Sequence, residues 1–505
     1  MKKASDRILK RSVLSVLVAA TLYTPQTMAE FTREVTEGNS PVTDETVENG
    51  TQNVWNKGKT DNITVGMYGY QKVYSGGTAN STTIENGGGQ IVYNGGTATG
   101  TTIKPGGILD VFGGKATGVE QKAGAALIAT TGTDTVVNGN NTRGEFSIKE
   151  GQAENVLLEN GGRLDVENGT IATNTTIRDK GLLIVNTGGT ATGTTLEKGG
   201  QQAVLGTDAS AVIDGGTQYV NSGGTATDAT IKNGGLQEIR SGGSATGATI
   251  KNGGKQNVSG TSTGTTIETG GVQTVNSGGK DEGAVINGGT QDILAEGTAT
   301  GATIKNGGQQ NVYGKTTGTT IETGGVQTVY TGGKADRTTV GKGGTLNVED
   351  GGHATSVEQL DGAALIATTG TDTLVNGTNA LGKPFSIKEG QADKVLLENG
   401  GQLTVVDGTS ADRTTIRDGG ELIVNDGGKT QNTGIESGGL QTVKARGTAE
   451  GTTIKLGGTL NVEEGGQATG VEQQEGAALI ATTDKNTVVS GENSRGEFSI
   501  NAGQA

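Results

Sequence analysis

The 505-residue chain has no cysteine, one histidine, four prolines and only 3% aromatic residues. Without cysteine it has no disulfide, no thiolate metal site and no thiol nucleophile. The one histidine, His353, lies in Gly-Gly-His-Ala-Thr-Ser, where an internal copy carries Gln467. A catalytic histidine needs a nucleophile and an orienting acid around it, and this context supplies neither. There is no Gly-Asp-Ser-Gly setting for a serine nucleophile and no His-Glu-x-x-His pair. No Gly-Gly pair leads into Gly-Lys-Ser/Thr at the start of a helix, and the calcium repeat Gly-Gly-x-Gly-x-Asp is missing. Asp412, Arg413, Arg417 and Asp418 are the one acidic and basic grouping a β-helical lyase could use, and isolated solvent-exposed charges explain them better.

Long apolar runs are scarce too. Residues 12–23 form the one that stands out, behind a basic start of Lys2, Lys3, Arg7, Lys10 and Arg11. With small residues around Thr27-Met28-Ala29, residues 1–29 read as an export signal cleaved between Ala29 and Glu30, too short to span a bilayer. The chain carries a net charge of −14. Removing that segment takes away five basic residues and one acidic one, leaving −18. Such a surface argues against nucleic-acid binding. No cofactor is implied. Weak divalent-cation binding by acidic turn side chains is the one metal expectation, with no ligand set named.

What the chain has is glycine, 94 residues of it, and a period. Between residues 215 and 344 the Gly-Gly pairs begin at Gly215, Gly234, Gly253, Gly270, Gly288, Gly307, Gly324 and Gly343, in steps of 17 to 19. Ile231, Ile250, Ile267, Ile286, Ile304, Ile321 and Val340 keep the same beat. A fixed period of this length means stacked supersecondary units. Gln-x-Val and Thr-x-Ile alternate as strands do, and the glycine pairs supply the turns. No stretch between glycines is long enough for a helix. The expected fold is all-β, a parallel β-helix (β-solenoid) of about 19-residue coils.

One column defines the inside. Gln218, Gln237, Gln256, Gln273, Gln291, Gln310 and Gln327 recur two residues before Val or Ile, and other coils place Leu109, Leu164, Leu346, Leu422 or Leu460 there. A site taking Gln or Leu faces inward, and stacked amides satisfy one another along the stack. On this reading Gln273→Leu is close to neutral and Gln273→Glu destabilises. Asn86, Asn233, Asn252 and Asn306 before the glycines mark a second ladder, at a turn. In Thr-Thr-Ile the second threonine points outward, as at Thr83, Thr102, Thr176, Thr195, Thr266, Thr320, Thr415 and Thr453. Thr266 and Thr320 are the candidate adhesive face.

The regular coils start near Thr51, so residues 30–50 are expected to form an irregular N-terminal cap and 51–505 the solenoid. A longer repeat interrupts them, starting at Val119, Val357 and Val471. Each copy reads as a strand Ala-Ala-Leu-Ile-Ala, an exposed Asn/Gly-rich loop or hairpin, and a strand Phe-x-Ile. Loops concentrate binding residues, so Asn141, Arg143 and Asn379 are the candidate loop contacts. The third copy ends at Ala505, before the Val-Leu-Leu-Glu-Asn-Gly-Gly that follows in the others, and reads as a fragment.

The repeat Gly-Gly-x-Ala-x-x-Thr-x-Ile-x-x-Gly-Gly-x-Gln-x-Val, with the block Gly-Glu-Phe-Ser-Ile followed by Val-Leu-Leu-Glu-Asn-Gly-Gly, resembles the passenger domains of AIDA-type autotransporter adhesins. The resemblance covers roughly residues 51–505. It implies a right-handed β-helical stalk on the outer surface of a Gram-negative bacterium, acting in self-association, biofilm formation or host-cell attachment, with heptose on Ser/Thr in some members. Its partners would be identical passengers on neighbouring cells or a host-cell surface. It also implies a C-terminal outer-membrane β-barrel, which this chain does not contain. The alternative is a secreted β-helix polysaccharide-degrading enzyme, disfavoured because no catalytic constellation appears.

Overall fold

The computed structural model describes residues 31–501 and 504, in two compact units. The first comprises residues 31–129 and 133–145 and the second 130–132 and 146 onward. The expected export signal, with its cleavage between Ala29 and Glu30, lies outside the described residues.

Both units are parallel β-solenoids. A typical coil has one strand of four or five residues and two of two or three, each paired in parallel with its counterpart in the next coil. The first unit holds six longer strands, from Phe31–Val35 to Ala126–Thr130, and the second seventeen, from Arg163–Val166 to Ala478–Ala481. One coil of the second unit shows how the sequence builds this. Leu236–Ile239, Ser244–Thr246 and Thr249–Ile250 are its strands. Gln237, Ile239, Ala245, Ala248 and Ile250 point inward and are buried, while Leu236, Glu238, Ser244 and Thr249 point outward. Register holds residue by residue, with Gln237 beside Gln256, Ile239 beside Val258 and Ile250 beside Ile267. A fully buried Ile or Val contributes roughly 1.5–3 kcal/mol of transfer energy.

The two glycines of a pair do different work. Gly234 has φ +82°, the left-handed region open to glycine at no steric cost. Gly235 is needed for closeness, since a Cβ there would lie 2.1 Å from the backbone oxygen of Ile213.

The glutamine column runs through the interior of each unit. From Gln218 to Gln327 each amide donates to the preceding glutamine's oxygen, beginning with Gln202, at 2.6 to 2.9 Å. In the first unit Gln90 donates to Gln71 and Gln71 to Gln52, at 2.6 and 2.8 Å. The first threonine of Thr-Thr completes the network: Thr82 donates to Gln71 at 3.0 Å and Thr101 to Gln90 at 2.8 Å, each eleven residues after its partner. Where that earlier residue is leucine, the threonine loses this partner, and only Thr194, after Leu183, finds others, in Asp208 and Gln202. Among the described residues Thr175, Thr414 and Thr433 have buried hydroxyls without a partner, and eleven residues before them stand Leu164, Leu403 and Leu422.

The N-terminal boundary is a correction. Residues 31–49 are not an irregular cap but a coil: Phe31–Val35 pairs in register with Gly50–Val54, Val42–Thr43 with Thr60–Asp61, and Thr46–Val47 with Thr64–Val65. The pattern hides because Arg33 stands where the next coil has Gln52. The column ends there on charge, with Gln52 donating to Glu45 at 2.6 Å and Arg33 3.9 Å from the same carboxylate.

Candidate functional site

Two surfaces were expected to carry contacts: the outward threonines and the loops of the long repeat. Thr266 and Thr320 share one outward column, which runs Thr249, Thr266, Val285, Thr303, Thr320, Thr339. Thr266 is half-buried and Thr320 exposed. The hydroxyl row is therefore broken at Val285. The adjacent outward column carries Lys280, Lys315 and Lys334 among its threonines, so the face mixes hydroxyl, apolar and charged groups. Thr176 departs from the outward set. It is 6% exposed, beside Leu157 in the neighbouring coil.

The long repeat forms a hairpin. In the second copy Leu374–Thr378 runs antiparallel to Pro384–Lys388, which runs antiparallel to Gln391–Asp393. A register shift between Ala354 and Val357 sets its root. The same shift recurs at Ala116/Val119 in the first unit and at Ala468/Val471 in the third copy. At each, a glycine closes on the strand beside it. A Cβ on Gly139, Gly377 or Gly491 would lie 1.9 to 2.0 Å from the carbonyl oxygen of Val119, Val357 or Val471.

Asn141 and Arg143 lie in the turn of the first copy, where the Arg143 backbone N–H donates to Asn141 Oδ1 at 2.8 Å and Arg143 is exposed. The third copy repeats this with Asn493 and Arg495 at 2.9 Å. Asn379 is the exception among the loop candidates. It is 4% exposed and ties the loop from within: its Oδ1 accepts from the Leu381 and Lys383 backbones, and its Nδ2 donates to the Lys394 carbonyl. The extra residue in this copy's loop needs that internal anchor, so Leu381 and Lys383, not Asn379, face solvent. An open groove runs between hairpin and strand, lined by Val357, Glu358, Gly377, Thr378 and Ala380. Its counterpart in the third copy is lined by Val471, Glu472, Gly491, Glu492 and Glu497.

The charged grouping at 412–418 resolves into ion pairs. Arg413 bonds Asp393 and Asp412 on the surface, at 2.6 and 3.2 Å. Arg417 reaches Glu398, 1% exposed, at 2.6 Å and Asp361 at 2.9 Å, while Glu398 also accepts from the Gly362 backbone. His353 lies beside the Asp372 carbonyl, 3.1 Å from Nε2. The turn asparagines pair in part, Asn233 donating to Asp214 and Asn306 to Asn287. Among the described residues no three His, Cys, Asp or Glu side chains are placed to hold a metal ion.

Sequence reasoning missed two buried acids. Asp208 and Asp281 stand where other coils have alanine, facing the glutamine column. Asp208 accepts from Gln202 and Gln218, both at 2.8 Å, and Asp281 from Gln273 and Gln291, both at 2.9 Å. Burial pushes the Asp208 carboxyl up to about 6, against the lowering effect of its amide and hydroxyl donors, and raises Asp281 in the same way. Also missed was an aromatic stack in the first unit. Trp55 lies on Tyr74 at 4.0 Å and Tyr74 on Tyr93 at 4.9 Å, and their 19-residue spacing was the available signal.

In-register parallel coils, an amide-filled interior and outward columns at a fixed spacing define a parallel β-solenoid. The family model described as adhesin of bacterial autotransporter system, probable stalk, matches residues 75–125, 138–200, 376–439 and 426–477. A probable autotransporter, YpjA, of Escherichia coli (strain K12) is 50% identical over 58 residues, which is 12% of this chain and 4% of that protein. The autotransporter CRAC of Citrobacter rodentium (strain ICC168) is 51% identical over 49 residues, 10% of this chain and 3% of that one. The matches thus span only a few per cent of those relatives' length. A crystal structure of a TibC-catalysed hyper-glycosylated TibA fragment aligns over 90% of this chain and 97% of its own, at 25% identity and a TM-score of 0.22. The matched stretches, less than half of the chain, are similar to the AIDA-type stalk of autotransporter adhesins.

Proposed function

We propose that the chain is the adhesive stalk of an exported, surface-displayed autotransporter, working in bacterial self-association and through it in biofilm formation or attachment to host cells. The observation that carries this reading is that the stalk-family matches fall on coils whose outward side chains stack in register, Thr83 beside Thr102 among them. A repeated surface multiplies weak contacts: two stacks meeting side by side gain avidity from many polar pairs, with no single strong site required. Thr266, Thr320 and their column belong to that face, and the loop residues Asn141, Arg143, Leu381 and Lys383 to its projections.

Two-colour mixing of cells tests it. Cells displaying the chain through a β-barrel anchor are mixed with cells carrying the anchor alone, and separately with cultured host cells. Aggregates made only of displaying cells support self-association, and adherence confined to host cells moves the reading to attachment. Neither, with the chain shown on the surface by protease accessibility, overturns it. Thr266→Lys with Thr320→Lys is expected to abolish aggregation while leaving the β-sheet circular dichroism unchanged. Aggregation of the parent is expected to be stronger at about 0.15 M salt than at about 0.01 M, where like charges repel over roughly 30 Å instead of 8 Å.

A further inference from the structure

Among the described residues of the first unit, no aromatic side chain lies in the core. Most of them line one outward face, that of the longer strands Gly50–Val54, Gly69–Val73, Gly89–Tyr93 and Ile108–Phe112. Three columns cross this face. The first runs Thr51, Tyr70, Gly89, Ile108, and the second Asn53, Lys72, Ile91, Asp110, Ile128. The third begins with the stacked rings of Trp55, Tyr74 and Tyr93, and Phe112 follows Tyr93 in register. Tyr70, Ile108 and Phe112 are 44, 37 and 65% exposed. The Tyr70 ring fills the space over Gly89, where a Cβ would lie 2.9 Å from it.

The fold does not need these rings. In the second unit the middle column carries Glu238, Asn257, Thr274 and Asp292, and the residues after Ile239, Val258 and Val275 are Arg240, Ser259 and Asn276. The face also runs along the side of the stack, so neighbouring coils do not cover it. An apolar patch of this kind marks a contact surface.

We propose that this face pairs with the same face of a second copy, the two stacks lying antiparallel about a two-fold axis at the level of Ile91. Such an axis, directed along the strands, lays each column on itself with the coil order reversed. Lys72 then meets Asp110 of the second copy, and Asp110 meets its Lys72. Tyr70 lies opposite Ile108, Tyr74 opposite Phe112, and Ile91 and Tyr93 each opposite their own counterparts. The column order is thus self-complementary in charge as well as in apolar character, as an isologous contact requires. Sheet faces pack about 10 Å apart, a gap that a lysine and an aspartate span end to end. A partner on this face must repeat its side chains at the coil spacing, about 4.8 Å, and set an acid two coils from a lysine. A second copy does both by symmetry.

Sedimentation velocity of the purified full chain at about 0.15 M salt tests this. Lys72→Asp and Asp110→Lys each set like charges opposite one another and are each expected to weaken dimerisation about tenfold or more. Mixed one to one, the two variants offer opposite charges at both positions and are expected to pair as tightly as the parent. The double variant, Lys72→Asp with Asp110→Lys, is expected to do so alone. Tyr93→Asn, which takes the residue the second unit carries at Asn221 and Asn276, is expected to weaken the dimer while keeping the β-sheet circular dichroism of the parent. Thr266→Lys with Thr320→Lys is expected to leave this dimer unchanged, so the face fails separately from the self-association reading it deepens. A chain that stays monomeric, single reversals that pair like the parent, or a mixture no tighter than either variant alone overturns the proposal.

Discussion

Gln237 donates its side-chain amide to the oxygen of Gln218 at 2.7 Å, nineteen residues earlier, and accepts from Gln256 at 2.6 Å. Alanines, not acids, flank it, at Ala226 and Ala245. Gln237→Leu leaves one oxygen and one N–H short of a partner and is expected to cost about 1–3 kcal/mol. Gln237→Glu buries a charge against the Gln218 oxygen and is expected to cost about 3–5 kcal/mol. Gln273 differs, because it also donates to Asp281 at 2.9 Å and lies 3.2 Å from Ser262. The expectation that Gln273→Leu is neutral is therefore revised to a loss larger than at Gln237. Thermal unfolding of the three variants checks the order, and equal melting temperatures for Gln237→Leu and Gln237→Glu count against an amide column.

Thr433 lacks a partner because Leu422, eleven residues before it, offers no amide. Leu422→Gln supplies one and also reaches the neighbouring Gln441, so its cost is expected to stay within about 1 kcal/mol. Leu196 is equally buried but lies on the isoleucine column. Leu196→Gln is expected to cost about 3 kcal/mol for a buried amide without partners. Denaturant midpoints of the two variants decide it; equal losses would mean that the glutamine position confers no tolerance.

Asp208 sets a pH dependence. Its folded-state carboxyl, raised to about 6 mainly by burial, holds a proton more tightly than the unfolded chain does. Its contribution to stability is therefore fully present below the ordinary carboxylate range near 4 and is lost as pH rises through about 6. Asp281, also raised by burial, adds in the same direction. Asp208→Ala, the residue of neighbouring coils, is expected to gain on the parent by roughly 2–3 kcal/mol between about pH 4 and pH 7.5. Melting curves at both pH values check this, and a difference that does not move with pH contradicts it.

Arg417 and Arg413 separate buried from surface pairing. Arg417→Ala leaves Glu398 buried with its charge unpaired and is expected to cost about 3–5 kcal/mol. Arg413→Ala breaks an exposed pair and is expected to cost less than about 1 kcal/mol. Equal unfolding midpoints for the two would show that Glu398 has other sufficient partners.

The coil, its length and its inward glutamines were legible because Gln-x-Val and Thr-x-Ile obey strand alternation at a fixed period. The division of labour in Gly234-Gly235 was not, since close approach to Ile213 is a relation between coils. Asp281 was hidden for a similar reason: the small-residue column reads as space, and only stacking shows that an acid there meets two amides. Arg33 masked the first coil by standing in a glutamine position. Asn379 looked like a loop contact because sequence places it in the hairpin turn, while the fold uses its side-chain amide, in three hydrogen bonds, to hold that turn together. The turns and core were written in local pattern; the loop tips and the acids depend on neighbours one coil away.

The most direct measurement is the settling of cells that display this chain through a β-barrel anchor, against cells with the anchor alone, in physiological salt. The account predicts that displaying cells clump and settle faster, and that the clumps disperse when protease removes the displayed coils. Displaying cells that stay suspended like the anchor-only control, with the chain intact on their surface, would contradict it.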